Sequence, residues 1–136
     1  MHIIVNAKPK PNSTKHYGVV MREILFRGYN KIQNKWYYGM LDKFDNKYLI
    51  NDGSGTKSFV DEDSIGQYTG FEDMNGKRIF EGDIVSNNNV NVAQIIFNDG
   101  CWYIKYDDKE RYELSDANDI IHVVGNVYEE QQKKSK

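Results

Sequence analysis

The sequence holds one cysteine, Cys101, so no internal disulfide can brace the fold. It holds two prolines, Pro9 and Pro11, and both fall within the first twenty residues. Apolar runs are short, as at Ile120-Ile121, and none approaches the roughly 18 residues of a membrane-spanning helix. The patch Ile3-Ile4-Val5 is too short for the core of a signal peptide. No amphipathic helix of ten or more residues can be traced, and no repeat of solenoid period. These absences exclude a disulfide scaffold, a helical membrane protein and a helical repeat array. They lead to the expectation of a soluble protein of a reducing, cytoplasmic compartment.

What is present is a compact set of strand formers. Aromatic residues make up 13% of the chain, with ten tyrosines, which argues against disorder. A chain of 136 residues fits one domain or two small β subdomains. The net charge is −2, but its distribution is uneven. Residues 1–20 carry Lys8, Lys10 and Lys15 and no acid, while the remainder is acidic on balance. An acidic body repels phosphate backbones, so nucleic acid is disfavoured as a partner.

With both prolines, Asn12, Ser13 and its lysines, segment 1–20 reads as a flexible basic tail, either a leader appended to a body that starts at Met21 or a native mobile arm. From there short apolar runs alternate with turn chemistry. Asp45-Asn46 separates Met40-Leu41 from Tyr48-Leu49-Ile50, and Asn51 to Gly55 is a loop. Asn75-Gly76 fits a type I′ hairpin turn. The clearest hairpin joins Val92–Phe97 to Cys101–Tyr106 through Asn98-Asp99-Gly100. On its second arm Trp102 and Ile104 share the inward face, with Trp102 as the expected core anchor. Ser115 to Asp119 suits one helical turn capped by Ser115, Ile120 to Val127 a last strand, and Glu129 to Lys136 a frayed polar end. The expected fold is all-β: a short-stranded meander with an N-terminal β subdomain over about 21–79 and a partly closed barrel over about 80–128, followed by a polar tail over 130–136. Glu81-Gly82-Asp83-Ile84-Val85 resembles the opening of SH3-like barrels, which implies an SH3-like form for that C-terminal half.

Several patterns invite a chemical reading and fail it. Gly53-Ser54-Gly55-Thr56-Lys57-Ser58 has threonine where a phosphate loop needs glycine, and strand formers follow where a helix should open. Asp73-Met74-Asn75-Gly76 begins like a calcium loop, but Lys77 stands at the third ligand position. Cys101 and His122 are the one possible nucleophile–base pair, and Asp99 beside the cysteine disfavours its thiolate. One cysteine and three histidines give no metal-ligand spacing. The carboxylate runs Asp61-Glu62-Asp63 and Asp107-Asp108 suit solvated turns. No catalytic, cofactor or metal residue is assigned, and no cofactor is expected. What remains is surface aromatic character. Trp36-Tyr37 and the run Gln67-Tyr68-Thr69 are the candidate partner-binding residues, because large rings with polar tips anchor protein interfaces.

Four blocks together resemble the YopX family of phage and prophage proteins. They are Phe26-Arg27-Gly28, then Trp36-Tyr37-Tyr38-Gly39, then the long stretch from Ile65 to Val85, then Val124-Gly125-Asn126-Val127-Tyr128-Glu129. The resemblance spans Met21 to Glu129 and departs at Met74, where lysine is the expected residue. It implies a small β-rich protein of phage or prophage origin and brings no catalytic residue with it. It assigns no biochemical function; the expectation is an accessory role exerted by binding a host or phage protein, with self-association as a further form of partnership. A nucleic-acid-binding barrel and an enzyme of unrecognised type stand as alternatives.

Overall fold

The computed structural model describes residues 15–16, 19–20, 22–88, 91–107 and 109–135. Of the expected tail, the described part is a pair of two-residue strands, β1 (Lys15–His16) and β2 (Val19–Val20), matched antiparallel. The rest of the expected tail lies outside the described residues.

The body is two antiparallel sheets. Six strands form the first: β3 (Phe26–Asn30), β4 (Lys35–Phe44), β5 (Lys47–Asn51), β6 (Lys57–Val60), β7 (Gly66–Glu72) and β8 (Arg78–Phe80). Their spatial order is β6-β5-β4-β3-β7-β8. Five form the second: β9 (Asp83–Asn87), β10 (Asn91–Asn98), β11 (Cys101–Lys105), β12 (Arg111–Glu113) and β13 (His122–Asn126). Their order is β12-β11-β10-β9-β13. Among the described residues one α-helix, α1 (Val127–Lys134), follows β13 directly.

Local chemistry sets the hairpins. Asp45 and Asn46 both hold positive φ, 53° and 61°, as a two-residue turn between Phe44 and its partner Lys47 requires. Asp99 and Gly100 do the same between Asn98 and Cys101. The expected type I′ turn at Asn75-Gly76 is not formed, since only Gly76 of the two has positive φ. That turn is built instead around Asp73, whose Oδ1 accepts from the backbone N–H of Asn75 and Lys77 at 2.9 Å each.

The main core belongs to the second sheet. Val85, Ala93, Ile95 and Ile104 pack with Leu114, Ile121 and with Ile79 of β8. Trp102 lies against this cluster while staying partly exposed, so Ile95 and Ile104 anchor the hairpin rather than Trp102. Neither sheet closes into a barrel. The expected partial closure of the C-terminal half fails because its outer strand β12 is three exposed residues long and pairs only with β11. The span toward β13 is bridged by two short 3₁₀ turns, Leu114–Asp116 and Asn118–Ile120, not by a ladder. Neither turn has a side-chain cap, which corrects the single Ser115-capped turn. The expected frayed end is α1, whose cap Asn126 accepts from the Glu129 N–H at 2.8 Å.

Candidate functional site

The two sheets meet around Arg27. Pairing of β3 with β4 sets Arg27 opposite Tyr38 and Tyr29 opposite Trp36, so these four side chains share one face. Arg27 is buried, and its Nη1 lies 2.7 Å from Oδ1 of Asp83 at the start of β9. The guanidinium sits between two rings, 4.9 Å from the Trp36 centroid and 5.0 Å from that of Phe80. Asp83 is 1% exposed and its Oδ2 accepts from the Phe80 N–H at 2.7 Å. Burial pushes the Asp83 carboxyl above the usual carboxylate range, and the Arg27 charge pulls against that rise.

Above this pair opens a cleft of about 640 Å³. Its aromatic wall is Trp36, Tyr38 and Phe80, and its opposite wall is Val123 to Asn126 of β13. Lys77 and Arg78 line one part of it and Glu129 another. Trp36 is fixed by a hydrogen bond from Nε1 to Glu129 Oε1 at 2.8 Å and by edge contacts with Tyr29 and Tyr128. Burial raises the Tyr38 hydroxyl above the usual phenol value, so it stays protonated at neutral pH.

The structure divides the sequence candidates. Trp36 lines the cleft, and Tyr37, on the other face of β4, bonds to Gln33 and lies under Lys35. Gln67 is half-buried. Tyr68 and Thr69 are only 2% and 3% exposed, which corrects their reading as partner-facing residues. The Tyr68 ring packs on Phe80, and the Thr69 hydroxyl donates to the Ile79 carbonyl at 2.8 Å. Cys101 and His122 stand on strands separated by β10 and β9, near opposite ends of β10, so they form no dyad. Among the described residues no group of three or more His, Cys, Asp or Glu side chains is placed to hold a metal ion. Arg27 and Asp83 were missed in the sequence because each reads alone as a turn-flanking charge. Only the fold brings them together.

A second feature continues from the cleft. Along β4, Trp36, Tyr38, Met40, Asp42 and Phe44 point to one side by strand alternation. Register places Leu49 and Phe59 on that same side. Tyr38, Met40, Phe44 and Phe59 are 46%, 53%, 68% and 49% exposed.

The family model described as YopX protein matches residues 25–132. The chain belongs to the YopX family. No curated protein matches it. A solved structure, the crystal structure of protein EF1440 from Enterococcus faecalis, is similar to it with a TM-score of 0.56 and 22% identity. That likeness covers 83% of this chain and 99% of the other, and it concerns the fold alone. The four blocks that carry the YopX resemblance converge in this structure. Arg27, Trp36 with Tyr38, then Lys77, Arg78, Phe80 and Asp83, then Val124, Gly125, Asn126 and Glu129 all contribute to this cleft. Among the described residues no helix is long and apolar enough to cross a membrane.

Proposed function

We propose that this YopX family member is a phage or prophage accessory protein that works in the bacterial cytoplasm by binding a protein partner, not by catalysis. The observation that carries this reading is the exposed apolar strip on one side of β4, β5 and β6. Met40, Phe44 and Phe59 are each about half or more exposed and flank the buried Leu49, with Asp42 and Lys47 interleaved on the same face. Isolated exposed apolar residues are ordinary, whereas a grouped set of large ones marks an interaction surface. Aromatic and methionine side chains are the types enriched where partners meet.

The test is a paired substitution, Met40→Asp with Phe44→Asp, with Ile32→Asp as control. Ile32 is 94% exposed in the β3–β4 turn, away from the strip. Tagged proteins are recovered from lysogenic or infected cells and their companions identified. The expected result is a partner retained by the unmutated protein and by Ile32→Asp, lost by the double variant, with melting temperatures unchanged. A partner set identical in all three proteins overturns the assignment.

A further inference from the structure

We propose that the cleft between the sheets binds a small ligand that joins an aromatic ring to an acid group, either phosphate or carboxylate. This site is separate from the apolar strip and does not depend on the protein-binding reading. A volume of about 640 Å³ lies within the roughly 300–1,000 Å³ of small-ligand pockets. The floor is built and rigid. Arg27 is clamped by Asp83, Trp36 and Phe80.

The walls select a ring. Trp36, Tyr38 and Phe80 present aromatic surface on one side. On the other, the β13–β9 register shifts between Val123 and Gly125, which leaves Val124 outside the ladder and 48% exposed. A flat ring inserted between them covers apolar surface on both faces.

The lining charges select an acid. Arg27 and Asp83 neutralise each other, while Glu129 accepts from the Trp36 N–H and keeps its negative charge in its own part of the cleft. At the other end Lys77 sets the sign, joined by Arg78 whenever a ligand displaces that side chain's carboxylate partner. Arg78 already holds a carboxylate: its Nη2 lies 2.9 and 3.0 Å from the two oxygens of Glu23. The protein thus supplies its own acid where a ligand's acid would bind, and Glu23 acts as a competitor.

Fluorescence of Trp36 reads the cleft directly, because the chain has only two tryptophans and Trp102→Phe silences the other. In that background the probes are phenyl phosphate, phenylacetate and adenosine 5′-monophosphate, with inorganic phosphate and benzyl alcohol as half-ligands. The expected result is saturable quenching by at least one aromatic acid with Kd below about 1 mM, and much weaker responses to either half-ligand. Binding of the nucleotide alone, or of the phenyl acids alone, supports the proposal and names the source of the ring. Lys77→Glu should weaken binding by about tenfold or more, Glu23→Gln should strengthen it severalfold, and Lys109→Glu should change neither. If Lys77→Glu proves unstable, Lys77→Gln takes its place. No saturable response up to about 10 mM, equal binding of a half-ligand, or indifference to both Lys77 and Glu23 overturns the proposal.

Discussion

Arg27 and Asp83 stand 2.7 Å apart, both buried, and fasten β3 of the first sheet to β9 of the second. Taking two charges out of water is costly, and their attraction offsets that cost only while both are present. Asp83→Ala should therefore cost about 3–5 kcal/mol, since it strands the guanidinium and the Phe80 N–H together. Arg27→Met combined with Asp83→Ala should cost less than the sum of the single changes by at least about 1 kcal/mol. Urea unfolding of the four proteins measures that coupling. Additive losses would show that the pair is a neighbourly accident.

The contrast between what was readable and what was not has a physical pattern. Hairpins closed by Asp45-Asn46 and Asp99-Gly100 were readable because their turn residues and strand alternation are local. Arg27 with Asp83, and Asp73 with Val123, were not, because each partner lies some fifty residues away. Tyr68 looked like a surface anchor because its neighbours are polar, but the hydroxyl of Thr69 is used inside the fold and Tyr68 is covered by Phe80 and Arg78. Helix α1 did leave a signal that the apolar pattern hid. Asn126 followed by Glu129 is a cap followed by a first-turn acid, and Lys133 and Lys134 close the last turn. With Tyr128 its sole buried residue, no hydrophobic stripe announces it. Of the cleft, Trp36 was among the candidates, and its setting between Arg27 and Glu129 required the structure.

Asp73 predicts an acid limb. Burial pushes its carboxyl up, but N–H groups of Val123, Lys77 and Asn75 bond to it and hold it below the ordinary value. The native state therefore releases this proton more readily than the unfolded chain. The stability it contributes is present above the unfolded value of about 3.9 and is lost as pH falls through the lower folded value. Asp61, also lowered, acts in the same direction. Asp83, raised by burial, acts oppositely: its contribution is present at low pH and lost as pH rises through its folded value. Asp73→Asn should cost about 1–3 kcal/mol at neutral pH and flatten the acid limb below about pH 4. Identical slopes in mutant and parent would remove Asp73 from this role.

Gly66 marks the closest backbone approach near the pair. A Cβ there would stand 2.5 Å from the Glu81 carbonyl oxygen, a rigid neighbour. Gly66→Ala should cost about 1–3 kcal/mol or more, because β7 or the Glu81-Gly82 turn must move. Chemical denaturation checks this, and an unperturbed midpoint would mean the turn yields freely.

Tyr68→Ala should destabilise by about 3–5 kcal/mol, in line with losses of large buried aromatics. Its ring is 5.6 Å from Phe80 and lies under the Arg78 guanidinium. A variant of normal stability would return Tyr68 to the list of surface residues.

Helix α1 is a strap from the second sheet onto the first. Tyr128 is 5% exposed, packs on Tyr29 and Trp36, and its hydroxyl donates to Asp61 Oδ2 at 2.9 Å. Glu129, next in the chain, accepts from Trp36 Nε1. An eight-residue helix has little stability of its own, so contacts of this kind hold it in place. Tyr128→Phe removes the hydroxyl bond and should cost about 1 kcal/mol, while Tyr128→Ala removes the ring and should cost about 3–5 kcal/mol. The two variants also separate anchoring from mere burial. If the strap positions Trp36, Tyr128→Ala should shift the Trp36 emission toward longer wavelength in a Trp102→Phe background at temperatures where the body stays folded, and Tyr128→Phe should not. Emission unchanged by Tyr128→Ala would mean that β4 alone fixes Trp36 and that α1 rests on the cleft without shaping it.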